Sequence, residues 1–103
     1  MKKMSKTHDL QITVEGVEGT CPVYKVGDSF TILDGFKLKT SQSLCTHSLA
    51  SLMPYYVPLS KGVKPEELGL GSGEEAYVQC LDPSEYTGGG TVVFEIRRKE
   101  DDE

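Results

Sequence analysis

The apolar residues of this chain switch between two periods, and that switching limits what it can fold into. Leu10, Ile12 and Val14 alternate with Gln11, Thr13 and Glu15, the period-two pattern of a half-buried strand. Gly16, Gly19 and Pro22 then predict a break. A Val26-Gly27-Asp28 turn leads into a second strand, Ser29 to Leu33. Asp34-Gly35 predicts a two-residue hairpin loop, because both central residues of that turn need positive φ. Phe36 to Lys39 is the expected return, with Phe36 and Leu38 on one face. Cys45, Leu49, Leu52 and Tyr56 instead recur at helical spacing, after a run of capping residues from Thr40 to Ser43. Pro54 predicts that this helix ends near Met53, since proline donates no interior hydrogen bond and clashes one turn back. Pro65-Glu66-Glu67-Leu68 has proline at the first position and Gly69 as a cap, the composition of a short helical turn. Ala76, Val78 and Cys80, then Val92, Phe94 and Ile96, restore strand alternation. The sum is an α+β domain: a small, mostly antiparallel sheet of about five strands packed against one main helix plus the short turn.

At 103 residues the chain is long enough for one domain, expected over residues 9–98, with solvated tails at 1–8 and 99–103. His8 falls in the first tail and is expected to be incidental. The net charge is −5; Lys2, Lys3 and Lys6 make the amino end basic, and Glu100 to Glu103 make the carboxyl end acidic. The body between them is mildly acidic, and Arg97-Arg98-Lys99 is its one basic cluster. That balance argues against nucleic acid as a partner, because such binding needs clustered cations to replace counterions. The basic start is followed by no apolar run, so no secretory signal is read there, and no stretch is apolar enough to span a membrane. A cytoplasmic setting follows, where thiols stay reduced and a structural disulfide is not expected.

The chemistry-bearing residues are the three cysteines, Cys21, Cys45 and Cys80, each in its own local setting and odd in number. Cys45 lies at the helix start, where free backbone N–H groups favour negative charge, and it shares the apolar stripe. Cys80 shares a strand face with Ala76 and Val78. Both therefore point inward, and Cys21, in an irregular segment stiffened by Pro22, is free to join them. Three readings stand together. The thiols pack as small hydrophobes, form a redox-responsive thiol site, or bind a thiophilic metal, zinc or iron. His47 is the reserve fourth ligand, but two residues on a helix is about 200° of rotation, which turns it away from Cys45. No close Cys-x-x-Cys pair supports a zinc finger.

The other candidates are weaker. Gly69 to Gly73 lacks the strand before it and the Lys-Ser or Lys-Thr pair after it that a phosphate loop needs, and reads as a surface loop. Gly88-Gly89-Gly90-Thr91 could bend its amides around an anion, but a wide hairpin connection explains it as well and is the favoured reading. Tyr55 and Tyr56, between Pro54 and Pro58, could form a contact surface for a protein partner or a homodimer, the cysteines then being packing alone; core filling by at least one ring is the alternative. No nucleophile, base and oxyanion donors can be assembled into an enzyme reading.

Several segments taken together carry a resemblance over residues 10–98: Cys21-Pro22-Val23-Tyr24-Lys25-Val26-Gly27-Asp28, Leu44-Cys45-Thr46-His47-Ser48-Leu49, Pro54-Tyr55-Tyr56, Glu67-Leu68-Gly69-Leu70, Ala76 to Pro83 and Tyr86 to Ile96. In these the chain resembles a family of small uncharacterised proteins found mostly in anaerobic prokaryotes. The resemblance implies a small α/β domain that keeps the three cysteines and the Cys-x-His pair. It brings no activity, substrate or cofactor. An anaerobic setting would tolerate oxygen-sensitive thiolate or iron sites.

Overall fold

A computed structural model describes residues 7–99; the lysines of the amino end and the acidic residues from Glu100 onward lie outside the described residues. The chain runs through β1 (Leu10–Gly19), β2 (Ser29–Leu33), β3 (Lys37–Lys39), α1 (Thr46–Ser60), a 3-10 turn (Pro65–Leu68), β4 (Glu75–Gln79), a one-turn helix α2 (Ser84–Thr87) and β5 (Gly90–Arg98). The strands form one antiparallel sheet in the order β3-β2-β1-β5-β4, with α1 on one face. The expected α+β arrangement is therefore present.

One face of the sheet is apolar and the other polar, as alternation demands of a sheet covered on one side. Leu10, Ile12, Val14, Phe30, Ile32, Ala76, Val78, Val92, Phe94 and Ile96 are buried towards α1. Phe94 is the centre of this core. Tyr24 meets it edge to face at 5.3 Å and 88°, and Phe30 at 6.3 Å and 73°. The outer face carries Tyr77, Glu95 and Arg97, joined by Tyr77 Oη donating to Glu95 and by an Arg97–Glu95 ion pair.

Three expectations change in detail. β1 does not stop at Gly16; it shifts register between Val14 and Gly16 and continues to Gly19, opposite Gly90. A bulge lets the long partner strand β5 go on supplying hydrogen bonds. Asp34 and Gly35 do have positive φ, 56° and 85°, but Leu33 pairs with Lys37, so Phe36 belongs to the loop and is exposed. The run Thr40–Ser43 caps no helix. Thr40 and Gln42 bond each other, and the Gln42 amide reaches Asp28.

The largest change is α1, which passes through both Pro54 and Pro58 to Ser60. An interior proline costs roughly 3 kcal/mol. Tertiary contacts beyond Met53 oppose that cost. Leu59 is buried, worth roughly 1.5–3 kcal/mol. The carbonyl of Ser60 accepts the His8 N–H at 2.7 Å, and Arg98 donates to the Leu59 and Val63 carbonyls at 3.4 and 3.0 Å. Arg98 thus closes the helix end rather than adding to a free basic cluster, and His8 is pinned rather than part of a solvated tail.

Candidate functional site

The site begins where β1 ends. Gly19 pairs with Gly90, and a Cβ on Gly90 would stand 2.6 Å from the Thr20 carbonyl carbon and 2.8 Å from the Cys21 nitrogen. Only a residue without a side chain lets the Cys21 segment lie this close to β5. Gly90 is therefore a close-packing device as well as part of the connection between β4 and β5. Thr20 N–H donates to the Gly89 carbonyl at 3.2 Å and fixes the approach.

From there Tyr24 organises the neighbourhood. Its backbone N–H donates to Cys21 Sγ at 3.4 Å. Its hydroxyl accepts the Cys45 N–H at 3.0 Å and donates to Ser48 Oγ at 2.8 Å. Ser48 in turn donates to the Cys45 carbonyl at 2.7 Å. These bonds close a ring through both backbone groups of Cys45, inside a buried environment where Ser48 is 0% exposed. Cys45 is the residue before the first turn of α1, with φ −85° and ψ 126°, and its own side chain caps nothing. The Tyr24 hydroxyl, 21 positions earlier in the chain, satisfies the N–H that a local cap leaves alone. Cys21 is consequently no loose member of the group.

Cys80 is held more tightly still. It follows β4 and is buried, as its strand face with Ala76 and Val78 predicts. Its sulfur accepts the Val92 N–H at 3.3 Å and donates towards the Gly90 carbonyl at 3.6 Å, while its own N–H bonds the Val92 carbonyl. The adjoining loop is closed by Asp82, whose backbone carbonyl accepts Thr91 Oγ1 at 2.5 Å and whose carboxylate accepts the Thr87 hydroxyl.

Between these pieces lies a cavity of about 300 Å³ lined by all three cysteines, Tyr24, Val23, Val92, His47 and Asp82. Cys21 and Cys45 are half-buried and reach it from two sides; all three thiols are free. The rotation argument against His47 fails because Cys45 is extended rather than helical, so both side chains line the same space. His47 and Asp82 also border a neighbouring groove with Leu81 and Pro83, which puts them at the rim. The cysteines share a wall without forming a ligand set. Among the described residues no group of three or more His, Cys, Asp or Glu side chains is placed to hold a metal ion. Cys45 Sγ, alone of the three sulfurs, enters no hydrogen bond among the described residues.

Tyr55 and Tyr56, the expected contact surface, are half-buried and packed against the core. The exposed apolar side chains of α1 are Met53 and Val57. The sequence gives Tyr24 no periodic signal, and Ser48 reads there only as a neighbour of His47 that forms no catalytic pair with it, adjacent residues on a helix pointing about 100° apart. Ser48 could have been found: Ser48, Leu52 and Leu59 share one helical face, and a serine in such a stripe calls for a buried partner. No helix among the described residues is long and apolar enough to cross a membrane. The chain matches no protein-family model, no curated protein and no solved structure.

Proposed function

We propose that this protein is a small thiol-reactive domain in which Cys45 is the working thiol, Cys21 its neighbour across the cavity, and Cys80 a structural anchor. The observation that carries the reading is the division of labour among three thiols lining one cavity. Cys80 Sγ is buried and hydrogen-bonded twice, Cys21 Sγ holds the Tyr24 amide, and Cys45 Sγ is uncommitted and half-buried. Among three thiols in one cavity, the accessible and unengaged one reacts before those that are buried or hydrogen-bonded. The ring through Tyr24 and Ser48 fixes the Cys45 backbone, so its sulfur is presented from a rigid point. A reducing cytoplasm keeps such a thiol available.

Limited alkylation of the reduced protein with iodoacetamide, followed by peptide mapping, tests this. Cys45 labels first, Cys21 more slowly, and Cys80 only after unfolding. Uniformly slow labelling, or Cys80 reacting as fast as Cys45, overturns the assignment. A soft metal ion such as zinc or iron would be a second ligand for the same thiols, but it would have to draw side chains together that now stand apart. Stoichiometric uptake by anaerobically purified protein, abolished in Cys45→Ser, would shift the reading to metal binding. Absence of uptake leaves the reactive thiol alone.

A further inference from the structure

The walls of the cavity define which reactants Cys45 can meet. They are largely thiol and hydrocarbon: Cys21, Cys80, Val23, Val92 and the Tyr24 ring. No lysine or arginine among the described residues lines it, and Asp82 contributes a carboxylate. The Asp82 carboxylate is held in place by the Thr87 hydroxyl, and the Thr87 oxygen also accepts the Gly89 N–H at 3.1 Å. Its charge therefore stays at the rim. An anion entering this space would leave water for apolar walls and meet a fixed negative charge, with no cation to receive it. An uncharged molecule faces neither penalty. The volume, about 300 Å³, lies at the small end of ligand cavities.

We propose that the cavity selects small uncharged electrophiles of the conjugated enone and enal class and joins them to Cys45 as a thioether. This inference rests on the reading of Cys45 as the working thiol. In the step, the Cys45 sulfur forms a bond to the β-carbon, and the carbon–carbon π pair moves to leave an enolate. The proton given up by the thiol is returned to the α-carbon. Atoms and electrons balance with no oxidant, reductant or leaving group. The thiol and hydrocarbon walls accept the rest of the molecule, and His47 lines the same space from its exposed side.

The test compares matched probes on the intact chain. Iodoacetamide and iodoacetate differ in charge and little in size, and N-ethylmaleimide is an uncharged conjugate acceptor. The iodoacetamide-to-iodoacetate rate ratio at Cys45 is expected to exceed that of free cysteine by at least about tenfold. N-ethylmaleimide should form a single adduct on Cys45, lost in Cys45→Ser and kept in Cys21→Ser. Asp82→Asn should bring the charge selectivity back towards the value for free cysteine. A ratio equal to that of free cysteine, with Cys45 still labelling readily, sinks the selectivity and leaves the thiol assignment standing. Failure of Cys45 to label with any of the three probes sinks both.

Discussion

Replacing Tyr24 by Phe removes one oxygen from the centre of the site and leaves the ring in place. The edge-to-face contact with Phe94 at 5.3 Å survives, so the loss is confined to the hydroxyl. Two hydrogen bonds disappear, the one accepted from Cys45 N–H at 3.0 Å and the one donated to Ser48 Oγ at 2.8 Å. Ser48 keeps its donation to the Cys45 carbonyl and can tolerate an empty lone pair. The Cys45 N–H cannot: it becomes an unpaired donor in a half-buried helix start. A hydrogen bond contributes roughly 1 kcal/mol net, and an orphaned donor costs roughly 1–3 kcal/mol. The substitution should therefore destabilise by about 2–3 kcal/mol, lowering Tm by roughly 8–24 °C for a domain of this size. Urea unfolding should show a lower midpoint at unchanged m, which separates lost stability from an altered unfolded state. Ser48→Ala and the double variant complete a cycle, and coupling of at least about 0.5 kcal/mol is expected for groups in direct contact. Hydrogen exchange should rise in the first turns of α1. A Tyr24→Phe protein within about 0.5 kcal/mol of wild type would mean that the ring alone matters and the ring of hydrogen bonds is incidental.

Two further outcomes follow from groups that hold the approach to the cavity. Gly90→Ala places a Cβ against the backbone of Thr20 and Cys21, which no side-chain rotation can relieve, so it should cost roughly 1–3 kcal/mol or more and expose Cys80 to alkylation in the native state. The Asp28 carboxyl lies below the usual carboxylate range, chiefly because it accepts the Lys25 backbone N–H, with the Gln42 amide and Lys25 charge adding to this and burial opposing it. A group depressed on folding stabilises above its unfolded pKa and loses that contribution as pH falls through the folded one. Wild type should therefore be more stable than Asp28→Asn at pH 7, and the gap in Tm should close as pH falls below about 4. A gap that stays constant down to pH 2 would refute the linkage.

How far the sequence was legible depended on whether a residue's role was local. Strand alternation and the paired positive φ at Asp34-Gly35 are set within a few residues, and the sheet follows them. The end of α1 is not local. Pro54 reads as a stop because nothing nearby reveals that Leu59 will be buried, or that His8 and Arg98 will satisfy the far end of the helix. The same distinction divides the site. Cys80 was legible as inward-facing because it continues a strand face, and Cys45 because it opens a helical stripe. Tyr24 was not, because it sits in an irregular segment with no period to place it, and its hydrogen-bond partners are 21 and 24 positions away. The missing cap was the available signal. Thr40 to Ser43 supplied capping residues too early, and the Cys45 side chain caps none of the helix N–H groups, so the N–H of Cys45 itself is left to a distant acceptor. That acceptor belongs to the segment carrying Cys21. A demand of helix termini therefore brings Cys21 and Cys45 to one cavity, and no affinity of the thiols for each other or for a metal is needed to explain their meeting.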